Sequence, residues 1–229
     1  MNISHANPRE KVYVFFDVDD TLISVKSMLS FQDFWYQCHQ DAEAEMSYRQ
    51  DLLANMHEKA CWKSLNRLYY RHFRGRSEQE VIKMGKLWFE AMQKDNTRFY
   101  HKAVVDTLAA HQKAGHEVVF VSGSFPALLQ PIAEELQVTV ILSTHMEVVN
   151  GYYTGEILPP QTIAEGKARA IGTFLAERQG NPERCYAYGD DWSDLPMLEM
   201  VGNPCVVTGG RGLVAHAKQL NWPIINPAL

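Results

Sequence analysis

Residues 11–22 read KVYVFFDVDDTL, a run of β-branched and aromatic residues that ends in carboxylates. An apolar run followed by polar residues recurs twice, since residues 117–125 read EVVFVSGSF and residues 184–191 read RCYAYGDD. Continuous apolar strands, each followed by a polar loop and a helical stretch, are typical of a parallel sheet buried on both faces. In such sheets ligands bind at the carboxyl ends of the strands, where these polar loops begin. The sequence therefore predicts an open α/β fold with a ligand site at that edge.

The rest of the chain follows this pattern, apart from one long interruption. Weaker strands are predicted at 138–142 and 205–207, and helices at about 98–114, 126–137, 165–179 and 193–200. Residues 25–97 contain no convincing strand, and their apolar residues recur at helical spacing. We therefore predict an α/β core formed by residues 1–24 and 98–229, with a helical cap inserted over residues 25–97. Asn150-Gly151 predicts a two-residue hairpin turn.

Composition excludes several classes of protein. The 229 residues are 46% hydrophobic and 21% charged, which favours a packed core over a disordered chain. No segment resembles a membrane span, and residues 1–10 lack the apolar run of a signal peptide, so a cytoplasmic protein is expected. The net charge of −5 disfavours binding to nucleic acid or to an anionic membrane. The four cysteines are far apart, which predicts buried reduced thiols rather than disulfides or zinc ligands.

Two carboxylates stand where the first strand ends. Asp17 and Asp19 are two residues apart, so both turn toward the strand end, because strand side chains alternate with period two. Crowding of like charge is costly unless a cation or a substrate compensates it. An acidic turn or a helix N-cap is the ordinary structural alternative for such a pair.

Further polar residues follow the other strands. Ser122 and Gly123 precede a predicted helix, where a hydroxyl and backbone N–H groups commonly hold an anion. Lys167 begins another predicted helix, where a cation is unfavourable unless it faces an anion. Asp190 and Asp194 follow a second strand, and such carboxylates suit a hard cation such as Mg²⁺. Each signal alone is more typical of a cap, a turn or a surface lysine, and their combination carries more weight than any one of them.

DVDDT, VSGS, a lysine and GDDWSD, in this order over residues 17–194, resemble the four motifs of the haloacid dehalogenase (HAD) superfamily. The resemblance is closest to the phosphoserine-phosphatase-like subfamily IB, which also carries a helical cap between the first and second motifs. It covers nearly the whole chain. It implies a HAD-like Rossmannoid parallel sheet with helices on both faces and a helical cap inserted after the first strand.

The resemblance also implies catalytic and metal-binding roles. Asp17 is implied to be the nucleophile that forms an aspartyl-phosphate, and Asp19 the general acid and then the general base. Mg²⁺ is implied to bind Asp17, the backbone carbonyl of Asp19, and Asp190. Asp194 is implied to support the metal site by orienting the groups that bind the metal.

The remaining implied roles concern the phosphate. Lys167 and Ser122 are implied to contact the phosphoryl oxygens, Gly123 to let the backbone approach them, and Thr21 to orient the first loop. Lys26 departs from the pattern, because it stands where phosphoserine phosphatases typically carry a glutamate for the substrate's ammonium group. A cation there repels an ammonium, so phosphoserine is not the expected substrate. We expect Lys26 to meet a second acidic group of the substrate or to point to solvent.

Two features of the sequence have open roles. Asp191 replaces the small residue common after the metal-binding aspartate. Residues 67–76 read RLYYRHFRGR, which is either a recognition surface for a polyanionic or aromatic substrate or a solvated helix face beside buried aromatic residues. The arginines concerned are Arg67, Arg71, Arg74 and Arg76.

The sequence therefore predicts a Mg²⁺-dependent phosphatase of a small-molecule phosphomonoester, acting as a monomer or homodimer without a nucleic-acid or membrane partner. A phosphotransferase that uses the same intermediate is one alternative. A non-catalytic module that binds a phosphorylated ligand is another. A phosphatase of nucleic-acid ends is disfavoured by the net charge and by a cap that should enclose small substrates.

Overall fold

A computed structural model describes residues 11–56, 61–95, 98–210 and 212–227. The strands are β1 (Tyr13–Phe16), β2 (Glu117–Ser122), β3 (Val140–Ser143), β4 (His145–Val149), β5 (Tyr152–Leu158), β6 (Tyr186–Gly189), β7 (Asn203–Val207) and β8 (Ile224–Ile225). The helices are α1 (Ser27–His39), α2 (Ala42–Asn55), α3 (Trp62–Arg71), α4 (Glu78–Asp95), α5 (Lys102–Lys113), α6 (Pro126–Glu135), α7 (Glu165–Arg178), α8 (Leu195–Leu198) and α9 (Leu213–Gln219). Residues 1–10 of the predicted core lie outside the described residues.

The central sheet has six parallel strands in the order β3-β2-β1-β6-β7-β8. Strand β1 is buried on both faces: Val14 and Phe16 pack on one side, and Tyr13 and Phe15 on the other. This two-sided burial is why the strand is a continuous apolar run in the sequence. The predicted α/β fold is confirmed. Strand β8 was not predicted, because a two-residue strand has no detectable periodicity.

The strand order indicates where on the sheet a ligand would bind. Strand β1 has β2 on one side and β6 on the other, so the sheet grows in opposite directions from β1. The carboxyl ends of these three neighbouring strands lead to Asp17, Ser122 and Asp190. A crevice at such a reversal of strand order is the usual ligand site of open α/β sheets.

Helices α1 to α4 follow β1 and pack directly against the α/β core. Phe31 of α1 and Trp88 of α4 belong to the same apolar cluster as Phe16 of β1. Helix α4 also lies very close to α6, since a Cβ added at Gly85 would come within 2.2 Å of the backbone oxygen of Ala127. The insertion therefore shares its hydrophobic core with the sheet. Its limits at residues 25 and 97 stay a prediction.

The hairpin of β4 and β5 attaches to the helical insertion. Asn150 and Gly151 have φ of 53° and 81°, as a two-residue hairpin turn requires, which confirms that prediction. The Gly75 N–H donates to the Tyr153 carbonyl at 2.8 Å, and the Tyr153 N–H donates to the Arg76 carbonyl at 3.0 Å. The hairpin thus holds the segment between α3 and α4, a contact that the sequence pattern does not predict.

The cysteines only partly match the expectation of buried thiols. Cys185 and Cys205 are buried, as predicted. Cys38 and Cys61 are exposed, so the prediction is wrong for them, because Cys38 lies on the solvent side of α1 and Cys61 lies just before α3. Among the helices described, none has the combination of length and apolarity that crossing a membrane requires.

Candidate active site

Three buried carboxylates meet at the carboxyl ends of β1 and β6. Asp17 follows β1, Asp190 follows β6, and Asp194 ends a short 3-10 turn beyond Asp190. One carboxylate oxygen from each lies within 4.8 Å of the others. Burial, with repulsion from the neighbouring carboxylates, raises the pKa of Asp17 to about 7 and that of Asp190 to about 8. The three carboxylates therefore repel one another unless a cation lies beside them.

Lys167 supplies such a cation. Its ammonium group, only 3% exposed, contacts Asp17 Oδ1 and lies 2.6 Å from Asp194 Oδ1. Burial opposes the charge on Lys167, but Asp17 and Asp194 outweigh it and hold its pKa above the ordinary value. The lysine at the start of α7 therefore faces anions, which removes the penalty that its position near a helix N-terminus would otherwise carry.

Asp194 and Asp191 shape the loop after β6. Asp194 Oδ2 accepts the N–H groups of Asp190 and Asp191, both at 3.1 Å. Asp191 Oδ1 accepts the Ser193 N–H at 3.0 Å, which completes a capping box on the 3-10 turn. A Cβ added at Gly189 would come within 2.6 Å of the Asp194 side chain. Asp191, whose role the sequence leaves open, thus acts as the N-cap of this turn.

Asp19 stands apart from the three carboxylates. Its Oδ2 accepts the Ser27 N–H at 3.1 Å and the Ser27 hydroxyl at 3.0 Å. Its Oδ1 is buried and has no hydrogen-bond partner in the described part of the chain. Burial raises the pKa of Asp19 to about 6, so this carboxyl can carry a proton near neutral pH. A general acid needs this property.

Thr21 and Lys26 have protein partners at the site. The Thr21 hydroxyl is fully buried and donates to Asp190 Oδ1 at 3.1 Å, so it orients a carboxylate of the cluster. Lys26 lines the cavity, and its Nζ lies 2.8 Å from Asp20 Oδ2 and 5.9 Å from the centre of the Trp62 ring. Burial opposes its charge, but Asp190, Asp20 and Asp19 together raise the pKa of Lys26. Lys26 therefore already has acidic partners within the protein.

The loop after β2 is held from the helical insertion. The Ser122 hydroxyl accepts the Ser124 N–H at 3.0 Å, which leaves its own proton to donate into the cavity. The Gly123 carbonyl accepts two hydrogen bonds, from Asn66 Nδ2 at 2.9 Å and from the Tyr70 hydroxyl at 2.8 Å. Sequence reasoning missed Asn66 and Tyr70. Their spacing of four residues puts both on one face of α3, but nothing in it indicates that this face meets Gly123.

Most of these groups line one cavity between the sheet edge and helices α1 to α3. Asp17, Asp19, Ser122, Gly123 and Lys167 lie on its core side. Thr21 is not among the described residues that line it. Apolar side chains of the insertion, together with Ile163, form much of the opposite wall. The cavity is therefore lined by charged side chains on the core side and mainly by apolar side chains on the side of the insertion.

The described residues that line this cavity do not include any of the four arginines of the RLYYRHFRGR segment, which are Arg67, Arg71, Arg74 and Arg76. Arg76 packs its guanidinium 4.2 Å from the centre of the Trp35 ring and donates to Gln32 at 2.9 Å. Arg67, which is exposed, donates to Gln161 at 3.2 Å. These contacts support the solvated-face interpretation over substrate recognition, with Arg76 serving the packing of the insertion.

Comparison with known proteins agrees with the motifs and the strand order. The family model of haloacid dehalogenase-like hydrolases matches residues 14–199, which contain all three carboxylates of the cluster. The chain belongs to this family. A probable phosphatase of Mycobacterium tuberculosis is 34% identical over 223 residues, which cover 96% of this chain and 76% of that protein.

Solved structures share the fold of this HAD hydrolase. A protein of unknown function from Bordetella pertussis Tohama I is similar with a TM-score of 0.82 and 24% identity, over 95% of this chain and 99% of that one. A phosphoserine phosphatase, solved as an analogue of its phospho-aspartyl intermediate, is similar with a TM-score of 0.63 and 17% identity, over 94% and 93% of the two chains. At these identities the likeness concerns the fold alone.

Proposed function

We propose that this protein is a phosphatase that hydrolyses a small-molecule phosphomonoester through an aspartyl-phosphate on Asp17. The observation that carries the proposal is the buried carboxylate of Asp17 in contact with the charged Lys167, next to Asp190 and Asp194. A carboxylate so placed is a nucleophile with an anion-binding cation beside it. The similarity to a probable phosphatase supports the same reaction class.

Asp17 and Asp19 divide the chemistry between them. Asp17 attacks phosphorus, and the bond between phosphorus and the leaving oxygen breaks. Asp19, whose buried Oδ1 has no protein partner among the described residues, gives its proton to the leaving oxygen. Asp19 then takes a proton from water, which attacks the aspartyl-phosphate and releases inorganic phosphate. The bonds from Ser27 keep the Asp19 carboxyl in place through both steps.

Lys167 and Ser122 bind the phosphoryl group in this proposal. Lys167 already lies against Asp17, so a phosphoryl oxygen that approaches Asp17 comes within reach of its ammonium group. The Ser122 hydroxyl lines the cavity and has its proton available. Gly123 lines the cavity beside it, where the lack of a side chain lets the backbone approach the phosphate.

The donor set also fits Mg²⁺. Asp190 Oδ2 is buried and has no hydrogen-bond partner in the described structure, and burial raises the pKa of both Asp17 and Asp190. Hard carboxylate oxygens are the ligands that Mg²⁺ prefers. We assign Asp17, Asp190 and the backbone carbonyl of Asp19 to the metal, with Asp194 orienting the loop. When bound, Mg²⁺ supplies positive charge that offsets repulsion between Asp17 and the phosphate.

The test is hydrolysis of p-nitrophenyl phosphate by wild type and Asp17→Asn, each with Mg²⁺ and with EDTA. We expect turnover only in the wild type with Mg²⁺. Asp106→Asn is the matched control, because Asp106 is an exposed aspartate on α5 and should leave the rate unchanged. Turnover by Asp17→Asn comparable to wild type would contradict the assignment of the nucleophile. Turnover in EDTA would contradict the metal requirement alone.

Substrate selectivity is tested with the same protein. Because Lys26 replaces the glutamate that phosphoserine phosphatases carry, phosphoserine should be a poor substrate in a panel of phosphomonoesters. A panel in which phosphoserine has the highest kcat/KM would contradict this part of the proposal. Acid trapping of labelled phosphate on wild type, and its absence in Asp17→Asn, tests the covalent intermediate directly.

A further inference from the structure

Four residues on the insertion side of the cavity have no part in the proposed hydrolysis. Tyr48 and Asp51 lie on α2, Tyr69 lies on α3, and His72 follows it. The Tyr48 ring centre is 5.3 Å from that of His72 and 6.4 Å from that of Tyr69, and His72 Nε2 lies 3.0 Å from Asp51 Oδ2. All four line the cavity. We name them the α2–α3 cluster.

Two hydroxyl groups of the α2–α3 cluster lack partners. Tyr48 is 3% exposed and Tyr69 is 5% exposed, and neither phenolic oxygen has a hydrogen-bond partner within the described residues. A buried hydroxyl without a partner is costly, so such groups are rare in native proteins unless water or a ligand satisfies them. Both residues line the cavity, and because each hydroxyl oxygen is almost fully covered, it is the ring that each tyrosine presents to a ligand.

The charged residue of the α2–α3 cluster that lines the cavity is Asp51, whereas the nearby Arg76 guanidinium is held against Trp35 and Gln32 and does not line it. Burial lowers the pKa of His72 below its ordinary value, so at neutral pH the ring is uncharged and donates one hydrogen bond to Asp51. The Asp51 side chain keeps about half of its surface exposed. Among the described residues that line the cavity, the lysines are Lys26 and Lys167, and both pair with carboxylates of the catalytic loops.

The cavity is therefore polarised along its length. Its cations lie beside the catalytic carboxylates, and an acidic residue lies on the helical wall. Between them the wall is mainly apolar, and its described members are Met28, Leu29, Leu52, Met56, Trp62, Leu65, Leu68 and Ile163. A ligand that matches this arrangement has a phosphate at one end, an apolar body, and a cation at the other end.

We propose that the substrate's leaving group is an amphiphilic alcohol that carries a protonated amine, which Asp51 binds across an apolar spacer. The inference rests on the proposed phosphatase function. The ammonium group donates to the Asp51 carboxylate, and the rings of Tyr48 and Tyr69, which line the cavity beside it, favour a cation. Lys26 and Lys167 repel the ammonium from the phosphate end, so the charges also set the orientation of the substrate. Lys26 thus selects against an amine close to the phosphate, whereas Asp51 selects for one farther away.

The test compares pairs of phosphomonoesters that differ only in the terminal group. The probes are 6-aminohexyl phosphate against n-heptyl phosphate and 4-aminobutyl phosphate against n-pentyl phosphate, with 5-carboxypentyl phosphate as the acidic counterpart. We expect the wild type to prefer one amine over its alkyl partner by up to about fivefold in kcat/KM, mainly through KM, as for a partly exposed charge pair. The chain length that gives the greatest preference measures the span from phosphate to Asp51.

The variants assign the preference to the cluster. Asp51→Asn keeps an oxygen for His72 and should bring the amine-to-alkyl ratio close to one. Glu43→Gln removes an exposed carboxylate from the same helix, so it should keep the wild-type ratio. Tyr48→Phe keeps the ring that lines the cavity and loses a hydroxyl without a described partner, so it should keep both the stability and most of the ratio.

The outcomes separate this inference from the proposed function. Equal kcat/KM for amine and alkyl esters, with p-nitrophenyl phosphate still hydrolysed through Asp17, would overturn the inference alone. Preference for the carboxyl ester would overturn it in favour of an acidic group near Lys26. An amine preference that survives in Asp51→Asn would also overturn the assignment. Failure to hydrolyse any ester, the aryl ester included, would overturn the proposed function and this inference with it.

Discussion

Replacing Lys167 with methionine should destabilise the protein strongly when no divalent cation is present. The Lys167 ammonium contacts Asp17 and lies 2.6 Å from Asp194, and all three side chains are buried. Methionine has a similar volume but no charge, so the two carboxylates would remain together in a medium of low polarity. Removing one partner of a buried ion pair costs about 3–5 kcal/mol. For a chain of this length that corresponds to a fall of roughly 6–20 °C in Tm.

Urea unfolding in EDTA at pH 8 measures this loss. Lys102→Met is the matched control, because Lys102 forms an i,i+4 pair with Asp106 but has a side chain that is 83% exposed, and such surface pairs contribute about 1 kcal/mol or less. At pH 5 the loss in Lys167→Met should shrink, since burial raises the pKa of Asp17 to about 7 and that of Asp190 to about 8, and both can take up protons. Added Mg²⁺ should return part of the stability by binding the folded state. Equal destabilisation by the two substitutions at pH 8 would refute the reasoning.

Three further predictions concern the same site. Without divalent cations, thermal stability should fall as pH rises from about 4 to 8. Burial raises the pKa of Asp17 to about 7 and that of Asp190 to about 8 in the folded state, above the ordinary value of 3.8. The folded state therefore binds more protons than the unfolded state in this window, and deprotonation destabilises it. A Tm in EDTA that rises over this range would contradict it. Tyr70→Phe should lower the free energy of unfolding by about 1 kcal/mol and reduce kcat more than KM, because the Gly123 carbonyl loses one of its two donors. An unchanged urea midpoint and an unchanged kcat would exclude a role for Tyr70 in positioning the Gly123 loop. Asp191→Ala should cost about 1 kcal/mol through the lost cap, whereas Asp191→Asn should keep most of the stability, and equal loss in both would contradict the capping role.

Local patterns were enough to predict the α/β architecture. Strand β1 is a continuous apolar run because both of its faces are covered, and the polar residues that follow β1, β2 and β6 mark the edge where the site forms. Asn150-Gly151 predicted its turn because few other residue pairs adopt two positive φ angles without strain. These signals depend on the backbone and on nearest neighbours, which a sequence displays directly.

The partners of individual side chains were not predictable in the same way. The spacing of Asn66 and Tyr70 indicates a common helix face, but their acceptor, Gly123, lies more than 50 residues away in the chain. Lys26 was expected to meet the substrate or solvent, and its nearest acid is Asp20 of the same loop region. The aromatic and basic residues of the segment 67–76 were also compatible with a binding surface. The structure favours packing, because none of its arginines is among the described residues that line the cavity, and Arg76 packs against Trp35.

The sequence by itself determined the main strands and helices of the α/β core, the family resemblance, and the carboxylate, serine and lysine residues of the site. The tertiary structure alone decided which residues of the helical insertion face the cavity, and so brought Tyr48, Asp51, Tyr69 and His72 together on its wall. The physical reason is that hydrophobic periodicity shows which face of a helix is buried, but not what that face packs against. Contacts between distant segments depend on how the helices cross and how closely they approach, and these are properties of the packed molecule.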